Sequence, residues 1–213
     1  MTKKASLLLI LIVTLVLSFM FQFSSWAGQF SDLTASHWAY DEINKLKQLG
    51  YINGYPDGTF KPEANITKAE FAAIMSRMAG DLYPEGNIYD NSRILANMNK
   101  AHWAYGAAKA MLSHMSGEDA QNIFGAGFYP EKKITREEVV AIIYAIIKQH
   151  TDFSDIEITN SRFSDISSAR FVESINLCVQ QGIINGYPDG TFKPVRNITR
   201  AEITAILIRV AEG

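Results

Sequence analysis

The chain has 213 residues, of which 47% are hydrophobic and 20% charged, and its formal net charge is −2. This composition is ordinary for a folded soluble protein. A mildly acidic protein has no general attraction for nucleic acid, so we expect no nucleic-acid partner. The single cysteine, Cys178, has no second cysteine with which to form an internal disulfide. We therefore expect a fold that is held together by its hydrophobic core.

The N-terminal residues 1–27 have the pattern of a secretory signal peptide. Two lysines precede an uncharged run, Ala5–Phe23, and small residues follow at Ser25 and Ala27. Signal peptides combine a basic start, an apolar stretch and small residues before the cleavage site. We expect cleavage after Ala27 and secretion of residues 28–213. The alternative is that the apolar run is not cleaved and stays as a membrane anchor.

Internal repetition organises the rest of the chain. The sequence GYINGYPDGTFKP at Gly50–Pro62 recurs as GIINGYPDGTFKP at Gly182–Pro194, with 12 of 13 positions identical. The two copies lie 132 residues apart, which is twice 66, so a middle copy is expected between them. AHWAYGAAKAM at Ala101–Met111 matches SHWAYDEINKL at Ser36–Leu46 and supplies this copy, although its loop has lost the YPDG motif.

The predicted boundaries are 28–87 for repeat 1, 88–149 for repeat 2 and 150–213 for repeat 3. Each repeat reads as a helix, a turn-rich loop and a second helix, which predicts a mainly α fold. In repeat 1 the first helix is predicted to begin near Ser36 and to stop at a left-handed Gly50. The following YPDG sequence is typical of a type I turn.

The second helix of each repeat begins with one shared pattern. A threonine is the predicted N-cap, and a glutamate three residues later completes a capping box. The first helical residue is basic in every repeat, and these residues are Lys68, Arg136 and Arg200. A cation at a helix N-terminus is unfavourable by about 0.3–1 kcal/mol. The neighbouring glutamate could offset this cost without any further role.

An anion site is the other explanation for the helix-start cations. It requires first-turn amides that point outward, where the helix dipole favours negative charge. A charge-assisted hydrogen bond from arginine would add about 1.5–3 kcal/mol, more than the dipole cost. Because arginine offers a planar pair of donors and lysine a point charge, Arg136 and Arg200 are better candidates than Lys68.

Together these motifs resemble the S-layer homology (SLH) domain, most completely in FSDLTASHWAYDEINKLKQLGYINGYPDGTFKPEANITKAE at Phe30–Glu70. The resemblance implies a pseudo-threefold, three-pronged spindle in which one helix per repeat forms a central three-helix bundle. It also implies non-covalent binding to a secondary cell-wall polysaccharide linked to peptidoglycan, often through a pyruvylated sugar. We accordingly expect a monomeric, non-enzymatic protein at the cell wall or in the S-layer, with no cofactor and no metal.

The resemblance further implies which residues bind the glycan. They are the helix-start cation, the aspartate of the opening FSD motif, an exposed tryptophan and a loop glycine. These positions are Arg136, Arg200, Lys68, Asp32, Asp165, Trp38, Trp103, Gly54 and Gly186. No repeat has the full set: Asn97 replaces the aspartate in repeat 2, and Arg170 or Phe171 must replace the tryptophan in repeat 3. Since the grooves of this family lie between repeats, we expect one or two competent grooves.

The residues do not support two other classes of function, an enzyme and a calcium-binding loop. For an enzyme, no nucleophile or metalloprotease motif is present, and His37 and His102 read as helix-start or surface histidines. For a calcium-binding loop, counting from NGYPDG places Ala64 where the bidentate glutamate belongs. A protein-interaction role stays open, because the connections 81–100 and 150–162 could contact another surface protein.

Overall fold

The computed structural model describes residues 30–84 and 88–212. Within these residues the chain forms seven α-helices, two short 3₁₀-helices and no strand. The α-helices are α1 (Tyr40–Gln48), α2 (Lys68–Leu82), α3 (Tyr105–Ser113), α4 (Gly117–Phe124), α5 (Arg136–Ile147), α6 (Val172–Gln180) and α7 (Arg200–Glu212). The 3₁₀-helices are Ser92–Leu95 and Ile166–Ser168. The mainly α prediction is confirmed for this part of the chain, and the predicted signal peptide lies outside it.

The three helices that carry the basic start, α2, α5 and α7, begin as predicted. The Thr67 hydroxyl accepts the amide of Glu70 at 3.1 Å, and the Glu70 carboxylate accepts the Thr67 amide at 2.8 Å. The same reciprocal bonds form at Thr135 with Glu138 and at Thr199 with Glu202. These capping boxes are confirmed in all three repeats because every partner lies within one helical turn.

The first helix of repeat 1 begins later than predicted, at Tyr40 and not near Ser36. The preceding residues form turns, in which the Tyr40 amide donates to the His37 carbonyl at 3.0 Å. The His37 Nδ1 atom also accepts the amide of Ala39 at 3.1 Å. This side-chain bond gives an amide at the helix start a partner, as a capping residue does.

The predicted helix stop and turn of repeat 1 are both confirmed. Gly50 has a φ of +79°, and the Tyr51 amide donates to the Leu46 carbonyl at 3.0 Å, which is the six-to-one bond of a Schellman motif. In the YPDG turn the Gly58 amide donates to the Tyr55 carbonyl at 3.0 Å. The loop that follows is therefore held in a fixed shape.

Repeat 2 departs from the helix, loop, helix pattern. The additional helix α4 lies in the part of repeat 2 where repeats 1 and 3 have the YPDG turn. Ser116 caps α4, because its hydroxyl accepts the Asp119 amide at 3.1 Å. Helix α4 packs against α5 and against the Ser92–Leu95 helix. The sequence of this loop had lost the turn motif, and the structure shows that a helix has replaced it.

The repeats pack against one another in a closed circuit. Helix α2 packs on α3, α5 packs on α6, and α7 packs back on α1. Just before the long helices, three backbone bonds form a ring. The Ile66 amide donates to the Ile198 carbonyl at 3.1 Å, Ile198 donates to Ile134 at 3.2 Å, and Ile134 donates to Ile66 at 3.2 Å. Each repeat is thereby joined to both others.

One apolar core runs through all three repeats and includes Phe71, Phe128 and Phe192, which are fully buried. Cys178 belongs to the same core, and burial raises the pKa of its thiol to about 12. This agrees with a structural role for the cysteine. None of the helices described is both long enough and apolar enough to cross a membrane.

Candidate functional site: a groove shared by three repeats

The three helix-start cations are buried, and each one reaches into the next repeat. Their exposed fractions are 9% for Lys68, 6% for Arg136 and 7% for Arg200. Lys68 Nζ forms an ion pair with Glu138 Oε1 at 2.7 Å. The two arginines instead enter the YPDG-containing loops of the neighbouring repeats. All three cations therefore connect repeats, whatever further role they have.

Arg200 is fully engaged by repeat 1. Its Nε atom donates to the Phe60 carbonyl at 2.7 Å and its Nη2 atom to the Asn53 carbonyl at 2.9 Å. The Nη1 atom lies 3.9 Å from a carboxylate oxygen of Glu70. The guanidinium centre also lies 4.7 Å from the centre of the Tyr55 ring. Each guanidinium nitrogen thus has a partner within repeat 1.

Arg136 occupies the equivalent position between repeats 2 and 3 but is less completely paired. Its Nη2 atom donates to the Asn185 carbonyl at 2.5 Å, and its guanidinium lies 4.8 Å from the Tyr187 ring. Its Nε atom is buried and has no hydrogen-bond partner in the described structure. Burial lowers the pKa of Arg136, yet an arginine stays protonated at neutral pH. The guanidinium of Arg136 is therefore less completely paired than that of Arg200.

The first-turn amides do not point outward, which corrects the prediction made for an anion site. The N1 amides donate to backbone carbonyls of the next repeat at 2.9–3.0 Å: Lys68 to Lys132, Arg136 to Arg196 and Arg200 to Ala64. The following amide of each helix donates to a proline carbonyl in the same neighbouring segment. Segments 57 or more residues away in the chain thus use these donors, so at the helix starts themselves a ligand would meet side chains only.

A groove of about 520 Å³ brings three of the predicted site residues together, one from each repeat. They are Trp38 of repeat 1, Arg136 of repeat 2 and Gly186 of repeat 3. We call this cavity the Arg136 groove. Its lining also includes Arg196 and Arg209, which sequence reasoning did not identify. The groove volume lies within the range of small-molecule binding sites.

The Arg136 groove carries an excess of positive charge. Three arginines line it together with two carboxylates, those of Glu63 and Glu202. Glu202 is already paired, because it accepts the Tyr187 hydroxyl at 2.6 Å and forms an ion pair with Arg196. Burial opposes ionisation of Glu202, but these bonds lower its pKa overall. Such a groove attracts an anionic group more strongly than the acidic surface around it does.

The two tryptophans are exposed and supported in the same way. The exposed fractions are 57% for Trp38 and 65% for Trp103. A histidine ring lies 5.7 Å from each tryptophan, His37 in repeat 1 and His102 in repeat 2. Each histidine pairs with a glutamate at 3.1 and 2.9 Å respectively, so both have structural partners. Among the described residues no three His, Cys, Asp or Glu side chains form a group that could hold a metal ion.

The aspartates of the FSD motifs hold the loops in place and do not line the Arg136 groove. Asp32 accepts the amides of Phe60 at 2.8 Å and Lys61 at 2.7 Å with its two carboxylate oxygens. Lys61 has a φ of +58°, an uncommon left-handed conformation that these bonds help to maintain. Asp165 makes the equivalent two bonds in repeat 3, both at 2.8 Å. Their contribution to any site is therefore indirect.

The two loop glycines allow a close approach to an aromatic ring. A Cβ atom on Gly54 would lie 2.3 Å from Cε1 of Phe30, and one on Gly186 would lie 2.1 Å from Cε1 of Phe163. No side chain fits in this space, so each loop packs directly on its phenylalanine. Gly186 additionally lines the groove, where its backbone is open to a ligand.

Arg170 and Phe171, which take the place of the tryptophan in repeat 3, add a further contact between repeats 2 and 3. The Arg170 amide donates to a Glu137 carboxylate oxygen at 2.6 Å, and its guanidinium contacts the Phe171 ring at 4.7 Å. Asn97 replaces the motif aspartate by donating from Nδ2 to the Phe128 carbonyl at 2.8 Å. The aspartate's loop contact is thus kept in repeat 2 although its charge is lost.

The three repeats pack in a closed circuit and share the same helix cap, which defines a repeat module. Comparison with protein families identifies the family of this module. The family model of the S-layer homology domain matches residues 29–72 and 162–204. The chain belongs to the S-layer homology domain family, as the sequence motifs predicted.

Similar proteins have both structural and enzymatic names. The chain is 34% identical over 167 residues to the cellulosome-anchoring protein of Acetivibrio thermocellus, covering 76% of this chain and 35% of that protein. It is 29% identical over 175 residues to the S-layer protein of Bacillus licheniformis, covering 81% and 18%. It is 30% identical over 193 residues to the amylopullulanase of Thermoanaerobacterium thermosulfurigenes, covering 86% and 9%. The chain thus spans about a third or less of these relatives.

Proposed function

We propose that this protein is a non-catalytic module that attaches to the cell surface by binding an anionic secondary cell-wall polysaccharide. The anchoring and S-layer names of several relatives support the surface role. The single observation that carries the binding role is the Arg136 groove. It combines an exposed aromatic face, an arginine without a carboxylate partner among the described residues and a loop backbone at Gly186.

In this groove Trp38 stacks on the apolar face of a sugar ring, which an exposed indole suits. Arg136 lines the groove without a carboxylate partner, and its guanidinium donates to an anionic oxygen of the ligand, such as the ketal carboxylate of a pyruvylated sugar. A charge-assisted bond of this kind contributes about 1.5–3 kcal/mol. Because Arg136 is already fixed by Asn185 and by aromatic rings, little side-chain entropy is lost when the ligand binds.

A second groove would be formed by the repeat-related residues Trp103, Arg200 and Gly54. We propose weaker binding there, because the guanidinium of Arg200 is already engaged by repeat 1. Lys68 is the least suited of the three cations, since its ammonium is paired with Glu138. Asp32 and Asp165 support the grooves by fixing the loops.

The overall arrangement that accompanies this function is a pseudo-threefold spindle made of repeats 28–87, 88–149 and 150–213. The closed circuit of helix contacts and the ring of isoleucine backbone bonds support it. We also propose that residues 1–27 direct secretion. We further propose that the protein acts as a monomer, because its three repeats pack on one another.

Co-sedimentation with purified wall sacculi tests the proposal. Sacculi that retain their secondary polymer are compared with sacculi stripped by hydrofluoric acid, using the wild-type protein, Trp38→Ala and Trp103→Ala. We expect binding to disappear on stripping and to weaken more in Trp38→Ala than in Trp103→Ala. Binding that survives both stripping and the Trp38→Ala change would refute polymer recognition and indicate peptidoglycan or a protein partner.

A further inference from the structure

Arg209 is a cation that lines the Arg136 groove and has no partner of its own. It lies in the last turn of α7 and forms no hydrogen bond or ion pair with any described residue. The other two arginines of the groove are both held, Arg136 by the Asn185 carbonyl and Arg196 by Glu202. Arg209 is therefore the one arginine of this lining that no described residue holds by a hydrogen bond or an ion pair.

The repeat-related positions show that this free charge is particular to the groove. The equivalent residue in repeat 1 is Arg77, whose guanidinium donates to the Tyr51 carbonyl within its own repeat. The equivalent in repeat 2 is the apolar Ala145. A cation near a helix C-terminus also favours the helix dipole, which would be reason enough for Arg209 to be basic. Arg77 lies outside the last turn of α2, which ends at Leu82, so the two arginines share a repeat position but not this dipole interaction.

We infer that Arg209 is a second anion-contacting residue of the Arg136 groove, and that the groove selects a polysaccharide segment with two negatively charged groups. This inference rests on the proposed function. Arg136 and Arg209 are the two groove arginines without a carboxylate partner, since Arg196 is paired with Glu202. The Arg136 side chain is held by its loop contacts. Arg209 is half-buried, so its side chain can adjust its position to a bound ligand. The two anionic groups are carboxylates or phosphates, which an arginine binds alike.

The test measures binding isotherms on polymer-bearing sacculi at two salt concentrations. Arg209→Gln is expected to weaken binding about three- to tenfold, which is typical of a lost, partly exposed charge contact. Its affinity should also depend less on salt. Arg209→Lys should restore most of both effects. Arg77→Gln is the control for loss of a charge at the same repeat position outside the groove; because it also removes the bond to the Tyr51 carbonyl, thermal melting reports the folding of every variant.

A double-mutant cycle with Arg136→Lys, which keeps the charge but removes the guanidinium donors, distinguishes two anions from one. Two separate contacts predict that the fold-changes of the single variants multiply in the double variant. Fold-changes that do not multiply would mean that one anion is shared, which overturns the two-charge inference. Equal effects of Arg209→Gln and Arg77→Gln would also overturn it.

The same assay separates this inference from the proposed function and identifies the ligand chemistry. If Trp38→Ala abolishes binding while Arg209→Gln matches its control, the groove binds the polymer but Arg209 does not contribute. If stripped sacculi bind as well as untreated ones, the proposed function itself fails. Sacculi whose carboxylates have been converted to amides give the source: loss of the Arg209 effect assigns carboxylates, and its persistence assigns phosphates.

Discussion

Replacing Arg200 tests whether a helix-start cation holds the repeats together. Its guanidinium is 7% exposed and donates to two backbone carbonyls of repeat 1, those of Phe60 and Asn53. Arg200→Met keeps an apolar stem but removes both bonds and leaves the two carbonyls without these donors. At about 1.5–3 kcal/mol for each of the two charge-assisted bonds, we expect the free energy of unfolding to fall by about 3–6 kcal/mol.

Urea denaturation followed by circular dichroism measures this change, and Arg136→Met is the matched comparison. Arg136 makes one such bond, to the Asn185 carbonyl, so its replacement should cost about 1.5–3 kcal/mol. A loss below about 1 kcal/mol for Arg200→Met would show that these contacts contribute no more than an exposed ion pair. An equal or larger loss for Arg136→Met would contradict the assignment of Arg200 as the more structural of the two.

Three further outcomes follow from the same contacts. Trp38→Ala and Trp103→Ala should change the free energy of unfolding little, because both side chains are exposed. Wall co-sedimentation should fall more for Trp38→Ala than for Trp103→Ala. Equal losses would place binding in both grooves. Gly186→Ala should lower the free energy of unfolding by about 1–3 kcal/mol, because its Cβ atom would lie 2.1 Å from a phenylalanine ring. An unchanged midpoint of urea denaturation would contradict that packing. Burial lowers the pKa of His114 and His150, so both side chains are neutral in the folded protein. The free energy of unfolding should therefore decrease as pH falls below about 6.5, the pKa of an unfolded histidine. If the His114→Gln/His150→Gln variant melts with the same pH dependence, this prediction is wrong.

Local signals in the sequence predicted the caps, turns and helix stops because the interacting groups are adjacent in the chain. The capping box pairs residues three apart, and the Gly50 stop depends on one left-handed residue. The start of α1 was placed about one turn too early, because the His37 ring and not the usual hydroxyl or carboxylate serves the helix start. Helix α4 was not predicted, although Ser116 and Asp119 have the spacing of an N-capping motif.

Long-range partners could not be predicted from the sequence alone. The first-turn amides were expected to face outward, yet the amide of Arg136 donates to the Arg196 carbonyl, 60 residues away in the chain. The repeat pattern identified equivalent residues but not which of them meet. That Trp38, Arg136 and Gly186 share one groove depends on how repeat 3 closes on repeat 1. Arg209 could not be recognised as special, because Arg77 has the same position and residue type.

The arginine at the helix start has a physical explanation, and the residue four positions before it differs between the repeats. The dipole cost of a cation at this position, about 0.3–1 kcal/mol, is smaller than the gain from bonding to carbonyls of the next repeat. Arg200 additionally lies near Glu70, at 3.9 Å, because repeat 1 has Ala64 where repeat 3 has Arg196. In repeat 3, Arg196 pairs with Glu202, the equivalent glutamate, and no carboxylate lies within ion-pair distance of Arg136 in the described structure. The residue beside the helix start thus differs between Arg200, which has a carboxylate at 3.9 Å, and Arg136, which has none among the described residues.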